Sequence, residues 1–305
     1  MSKKIAGLIR DEYMYSGHVA CRGCGAALTM RYAMKAIGSN AVLVIPACCW
    51  SVIPGAYPQT SHKIPIVNIP FAVTGSVVSG MVEGFAAQGR EDITVIGWAG
   101  DGGTVDIGFQ ALSGAVERNH NFLYVLYDNE AYMNTGIQRS GATPPGAWTT
   151  TTPVGKYKEW KHQPKKRIVD ILVEHNIPYT ATATVAYPED LIRKIKKALS
   201  IKGPKFIHVL SPCQPGWRHP PEKTVELSRL AVLTKVFPLY EVEHGRYKIT
   251  IKPRKFKPVI EYFKLQGRFR YLIKDEQMLN FIQKYVDEQW ELLLKKEEFT
   301  QSLPE

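Results

Sequence analysis

No run of about eighteen consecutive apolar residues occurs anywhere in the chain, which excludes a membrane-spanning helix. The opening residues, MSKKIAGLIRDEYMYSGH, hold too short an apolar segment for a secretory signal, and a cytoplasmic location is expected. Neither a Walker phosphate loop nor a Gly-x-Gly-x-x-Gly fingerprint is present, which argues against nucleoside triphosphates and nicotinamide dinucleotides. Internal repeats and low-complexity tracts are also absent. Cysteine is scarce and odd in number: Cys21, Cys24, Cys48, Cys49 and Cys213 do not make a disulfide framework for 305 residues. Four crowd near the start and one lies far away, the distribution of ligands gathered by folding. Acidic residues are in deficit, 28 against 39 Lys and Arg, for a net charge of +11. Such an excess suits nucleic acid, a membrane surface or an acidic protein. No nucleic-acid-binding module is recognisable, and neither a nucleic-acid nor a membrane partner is expected. The densest basic stretch, Arg246 to Lys274, has ten Lys and Arg against the single acid Glu261, and reads equally well as a solvated face.

What is present is a regular alternation of helix and strand. Residues 25–37 predict a helix entered from a glycine, with apolar residues at helical spacing. AVLVIPA (41–47) and PIVNIPFA (65–72) predict short buried strands. Residues 74–89 predict a helix dense in Gly and Ser, which permits close packing or close approach of a ligand. A strand (93–99), a helix (106–119) and a further strand (121–128) follow, and then a turn-rich loop (143–156). Helix 167–176, strand 179–186, helix 188–200 and strand 205–213 resume the alternation. Strands apolar throughout and separated by helices indicate an α/β fold, a parallel sheet with helices on both faces. Past about residue 230 the pattern weakens. The main domain is expected over residues 1–228, with 229–305 a C-terminal extension of arm and terminal amphipathic helix. The arm lacks the apolar density for its own core and is expected to lie across a partner subunit.

The segment VIGWAGDGGTVDIG (95–108) ends a buried strand by presenting Asp101 between Gly100 and Gly102. In open parallel sheets, ligands sit beyond the carboxyl ends of the strands. Asp128 and Asn129 stand at the end of the next strand, so two groups of oxygen donors can aim at one point. A carboxylate, an amide oxygen and a backbone carbonyl would make half of an oxygen-only octahedral site suited to Mg²⁺. Gly102 and Gly103 would expose N–H groups to a phosphate at the start of the following helix. Asp101 as a helix cap and Asn129 as a turn residue is the alternative. Gly-Asp-Gly followed after 26 residues by Asn129 resembles the thiamine-diphosphate motif, and a diphosphate bridged by Mg²⁺ is the expected ligand.

CRGC (21–24) is a Cys-x-x-Cys pair, with Cys49 and Cys213 far behind it. Four thiolates can carry zinc, one [4Fe-4S] cluster or nothing. A thioredoxin-like role would leave Cys49 and Cys213 unexplained. A thiamine enzyme that oxidises its electron-rich intermediate needs a one-electron acceptor nearby, and zinc would contribute nothing to that.

From GHVACRGCG to SPCQPGWR, and again in YFKLQGRF, the chain resembles the β (thiamine-diphosphate-binding) subunit of the 2-oxoacid:ferredoxin oxidoreductases. The nearest branch is the multi-subunit pyruvate:ferredoxin oxidoreductases, and residues 100–156 carry the most specific likeness. The resemblance implies a [4Fe-4S] cluster on Cys21, Cys24, Cys49 and Cys213. It also implies Mg²⁺ held by Asp101, Asn129 and the carbonyl of Ala131. Gly100, Gly102 and Gly103 would line the cofactor, and Asn134 would lie near the reacting carbon. It implies oxidative decarboxylation of a 2-oxoacid with coenzyme A to acyl-CoA and CO₂, electrons passing to ferredoxin. Partner subunits of α, γ and δ type follow, one of them supplying the glutamate that activates the cofactor, so the chain alone should be inactive. In the family a glycine usually precedes the third cysteine ligand. Here it stands in PACCWSVIPG, so Cys48 is a second candidate beside Cys49. Trp50, next along, can alter substrate choice. Pyruvate is therefore a default, oxalate or a longer or branched 2-oxoacid stays open, and a non-oxidative thiamine-dependent decarboxylase or synthase with zinc is the alternative. His18 reads as a structural histidine or a neighbour of the cluster, and Thr149–Thr152 as plain loop or the edge of the active-site mouth.

Overall fold

The structure, a computed structural model, describes residues 4–5, 8–9, 11–154 and 161–304. Much of the opening segment, and the last two residues of the loop expected over 143–156, lie outside the described residues. A two-stranded antiparallel pair, β1 (Lys4–Ile5) and β2 (Leu8–Ile9), comes first. Then follow α1 (Gly25–Ile37), β3 (Ala41–Pro46), β4 (Ile66–Ile69), α2 (Thr74–Ala86), β5 (Thr94–Gly100), α3 (Phe109–Glu117) and β6 (Leu123–Asp128). The second half holds α4 (Ile168–Glu174), β7 (Tyr179–Thr184), α5 (Pro188–Ser200), β8 (Lys205–Leu210), α6 (Gln214–Trp217) and α7 (Thr224–Leu233). Last come β9 (Tyr240–Glu243), β10 (Arg246–Ile249), α8 (Ile260–Phe263) and α9 (Glu276–Ser302). Among the described residues no helix is long and apolar enough to cross a membrane.

Eight strands form one sheet in the order β10-β9-β7-β8-β6-β5-β3-β4. The run from β7 to β4 is parallel throughout, while β9 pairs antiparallel with β7 and β10 antiparallel with β9. β3, β6, β7 and β8 are buried along their whole length, as strands covered on both faces must be. Side chains alternate between the two faces. Leu43, Ile45, Ile96 and Trp98 join Met30 and Met34 of α1 and Leu191 and Ile195 of α5. Val42, Val44 and Val95 join Val78 of α2, Leu112 and Val116 of α3 and Leu172 of α4. Each such side chain, fully buried, contributes roughly 1.5–3 kcal/mol. The small residues of α2 serve packing: a Cβ on Gly75 would lie 2.2 Å from the carbonyl oxygen of Ala111 in α3.

The C-terminal region differs from the expected arm. α7 runs across the boundary placed at residue 228, and β9 and β10 extend the main sheet. Phe237, Leu239, Val259, Tyr262, Phe263, Phe269 and Leu272 share a core with Leu210 and Trp217. α9 is capped by Asp275, which accepts from the Met278 N–H at 2.9 Å, and buries Met278, Ile282, Val286, Trp290 and Leu293 at helical spacing. The apolar residues are present but interleaved with cations: in β10, Tyr247 and Ile249 are buried and Lys248 is exposed.

One buried residue predicts an acid sensitivity. His62 is 3 % exposed, its ring lies 5.1 Å from that of Trp50, and neither ring nitrogen has a partner among the described residues. Burial lowers its pKa from 6.5 to about 4. The unfolded chain therefore binds a proton that the folded chain refuses, so stability falls as the pH drops from 6.5 towards 4, by up to about 3 kcal/mol. In His62→Phe the urea midpoint is expected to fall less steeply over that window than in the parent; equal slopes would refute the assignment.

Candidate active site

After β3 the chain runs outward to β4 at the sheet edge, whereas β5 lies on the other side of β3. The loops leaving β3 and β5 therefore diverge, and a crevice opens at their carboxyl ends. It is a cleft of about 370 Å³. Gly100, Asp101, Gly102, Gly103, Asn129, Ala131 and Asn134 all line it, together with Cys48 and Cys49.

At its floor three oxygens crowd together. The side-chain oxygen of Asn129 lies 2.9 Å from the Ala131 carbonyl oxygen and 3.0 Å from Asp101 Oδ1, facing only acceptors. Adjacent ligands of an octahedral Mg²⁺ with bonds of about 2.1 Å stand about 3 Å apart, so the triad has the edge lengths of such a shell. Without a cation the amide would turn over and donate to both oxygens. Asp101 is buried, and its carboxyl is pushed well above the usual range by burial and then by the nearby Asp128 charge. Ser140 donates a short hydrogen bond to its other oxygen, Oδ2. A cation-free Asp101 is thus an electrostatic cost that a divalent ion would offset.

The turn carrying Asn129 and Ala131 is clamped from below. Glu130 sits at φ +67, a conformation uncommon for a residue with a long side chain and a mark of a constrained site. Thr143 donates to its carbonyl at 2.6 Å, and its N–H donates to Asp128 Oδ1 at 2.9 Å. Lys165 bridges Asp128 and Glu130 at 2.8 Å each, His208 pairs with Asp128 at 2.8 Å, and Arg268 reaches Glu130 at 2.5 Å. Burial works against the Asp128 charge, but the Lys165 ammonium and the His208 ring outweigh it and hold the carboxyl below its usual range.

The expected helix start also differs. Gly102–Asp106 form one wide, π-type turn, and α3 begins only at Phe109. Such turns recur at functional sites, and this one presents Gly102 and Gly103 to the cleft. Glycine is required there: a Cβ on Gly102 would lie 2.3 Å from the ring of Tyr132, whose hydroxyl donates to Asp106 at 3.0 Å.

The thiols are neighbours. Gly25 N–H donates to the Pro212 carbonyl at 3.0 Å, docking the Cys-x-x-Cys loop against the segment before Cys213. Burial raises the Cys49 thiol, then the charges of Cys213, Cys48 and Cys24; Cys213 is pushed up to about 12 by burial and by Cys24 and Cys21. Among the described residues no three His, Cys, Asp or Glu side chains converge as for a single ion. In chemistry the donor set suits a four-iron cube, which takes four thiolates. The Cys49 thiol donates to Asn134 Oδ1 at 2.9 Å, tying the thiol wall to the cofactor floor. Cys48 lines the same cleft, and its thiol is raised mainly by burial. Thr150 donates to the Gly136 carbonyl at 2.8 Å, which ties the threonine loop to the turn that follows Asn134; none of Thr149–Thr152 is among the residues lining the cleft. His18 is exposed, and its Nδ1 accepts from the Ala20 N–H at 3.3 Å.

Comparison with known proteins agrees with this geometry. A family profile described as "Thiamine pyrophosphate enzyme, C-terminal TPP binding domain" matches residues 67–209. The chain is 51 % identical over 300 residues to the ketoisovalerate oxidoreductase subunit VorB of Pyrococcus furiosus, covering 96 % of both chains. It is 50 % identical over 291 residues to the pyruvate synthase subunit PorB of Methanocaldococcus jannaschii, covering 93 % of this chain and 97 % of that one. Among solved structures, a 2-oxoglutarate:ferredoxin oxidoreductase from Magnetococcus marinus superimposes with a TM-score of 0.54 over 75 % of this chain and 84 % of that one, at 20 % identity, a likeness of fold. The protein is a thiamine-diphosphate enzyme subunit of α/β fold. More narrowly, it belongs to the β subunits of the 2-oxoacid:ferredoxin oxidoreductases.

Proposed function

We propose that this chain binds thiamine diphosphate through Mg²⁺ at Asp101, Asn129 and the Ala131 carbonyl, and a [4Fe-4S] cluster through Cys21, Cys24, Cys49 and Cys213. With both it catalyses the coenzyme A-dependent oxidative decarboxylation of a 2-oxoacid. The observation that carries this reading is the oxygen triad in the cleft, with the Cys49 thiol beside it, 3.9 Å from the Asn129 side chain. Bound cofactor and cluster would supply an electron sink for decarboxylation and a one-electron acceptor. The chain's own groups hold them: Asp101 and Asn129 orient the diphosphate, Gly102 and Gly103 give it backbone N–H groups, and Phe71, Tyr132 and Met133 exclude water. Asn134, in the cleft wall, can offer its amide to the substrate oxygen.

Among the described residues the cleft has no Lys, Arg or His in its wall to meet a second carboxylate. That favours an aliphatic monocarboxylic 2-oxoacid, pyruvate or a branched homologue, over oxalate; relatives named for pyruvate and for ketoisovalerate are nearly equal in identity. The activating glutamate would come from an α-type subunit. Subunits of γ and δ type and ferredoxin complete the electron path in the cytoplasm. The exposed basic residues Lys252, Arg254, Lys255, Lys257 and Lys264 offer the C-terminal region a surface for such partners.

The test is the co-purified complex assayed for coenzyme A-dependent viologen reduction. Cys213→Ser is expected to lose absorbance near 400 nm and at least about 1000-fold in rate while still binding Mg²⁺-thiamine diphosphate; Cys48→Ala is expected to keep both. Retention of the iron chromophore in Cys213→Ser would overturn the ligand set.

A further inference from the structure

α6 is only four residues long, yet it joins the two halves of the site. It begins directly after Cys213 and ends at Trp217, whose indole N–H donates to the backbone carbonyl of Asn129 at 2.8 Å. That carbonyl belongs to the residue whose side-chain oxygen completes the triad on the cleft floor. Trp217 is fully buried and fixed on two sides: the Arg268 guanidinium lies 3.9 Å over its ring, and Tyr262 meets it edge-on at 6.3 Å. Arg268 in turn holds Gln266 at 2.9 Å and Glu130 at 2.5 Å, so the same cation grips both the indole and the turn beside Asn129. Gly216 adds a second link, since a Cβ there would lie 2.3 Å from Met133 Sδ in the cleft wall and 3.5 Å from Cys213 Sγ.

The N–H of a buried tryptophan usually finds a partner, though not necessarily this one, and those of Trp50 and Trp98 have none among the described residues. Here the bond fixes the peptide plane of residue 129, and any shift of the Cys213 thiolate is carried through one rigid helical turn to that plane. We propose that Trp217, wedged by Arg268, is a positioning residue that couples occupancy of the thiol site to cation and diphosphate binding. The proposal rests on the functional reading above. Coupling of this kind is reciprocal: a cluster that orders α6 tightens the metal turn, and the filled metal turn steadies the Cys213 ligand. It concerns geometry and binding, and no bond is made or broken by Trp217.

The experiment measures the dissociation constant of Mg²⁺-thiamine diphosphate for the co-purified complex by calorimetry, once with iron and sulfide reconstituted and once after anaerobic stripping. In the parent, the loaded form is expected to bind at least about fivefold more tightly. Trp217→Phe keeps the ring but not the donor, and its two constants are expected to agree within about twofold, with iron content unchanged. Arg268→Lys, which keeps the charge and loses the stacked plane, is expected to fall between them. A ratio in Trp217→Phe equal to the parent's, with both groups bound, overturns the proposal, as does a parent ratio near one. Should Trp217→Phe lose its cooperative melt, the Arg268→Lys ratio decides on the same criterion. A parent complex that takes up no thiamine diphosphate or no iron fails differently, and removes the functional reading instead.

Discussion

Asp101→Asn is expected to stabilise the metal-free chain and to abolish its response to Mg²⁺ and thiamine diphosphate. Asp101 is 1 % exposed, its Oδ1 lies 3.0 Å from the side chain of Asn129, and Asp128 is an electrostatic neighbour. The amide removes the repulsion from Asp128 and keeps acceptors for Ser140 or Asn129, so a gain of about 1–2 kcal/mol is expected without ligand. Loading reverses the order. The parent at a hundredfold excess over its dissociation constant gains about 2.7 kcal/mol, while the variant, short of the only ionised ligand in the triad, should lose at least about 100-fold in affinity. The two melting curves should therefore cross when Mg²⁺ and cofactor are added together. A variant that is less stable when empty, or that still shifts like the parent when loaded, would show that Asp101 caps a turn and holds no metal.

The contrast between Asp101 and its supports shows what a one-dimensional reading can reach. Asp101 and Asn129 were legible because each ends an apolar strand, and parallel strands deliver their carboxyl ends to one edge of a sheet. The eleven helices and strands expected over residues 25–213 appear, most of them because burial on both faces leaves a pattern along the chain; the strand expected to be buried at 65–72 is instead β4, a partly exposed edge strand. Ser140, Thr143, Lys165 and Arg268 leave none. Lys165 stands 37 residues from Asp128 and Arg268 stands 138 from Glu130, and a cation paired across such distances looks like any other surface cation. The wide turn at Gly102–Asp106 was hidden too, because its residues are common to helix starts and only the contact with Tyr132 shows why glycine is needed. Arg268 is the sharpest case. It belongs to the basic stretch that reads as a solvated face, and it is 3 % exposed.

Removal of residues 240–305 is accordingly expected to unfold the chain, in contrast to the loss of assembly alone that an arm would give. The cut strips β9 from β7 and leaves the buried strand β7 as an open edge without its antiparallel partner. It also removes Tyr247, Tyr262, Phe263, Phe269, Leu272, Ile282 and Trp290 from two buried clusters. At roughly 1.5–3 kcal/mol for each large side chain, the loss is about 10–20 kcal/mol, as large as the 5–15 kcal/mol that holds an ordinary domain folded. Glu130 would lose Arg268, and Trp217 would lose both the cation over its ring and the edge of Tyr262, so the turn carrying Asn129 would slacken even in a collapsed chain. Circular dichroism of the truncated chain should show no cooperative melt, and calorimetry no uptake of Mg²⁺-thiamine diphosphate. If the shortened protein is soluble, melts sharply and binds the cofactor as tightly as the full chain, the C-terminal strands and helices are an appendage, and the clamp on Glu130 has no part in building the site.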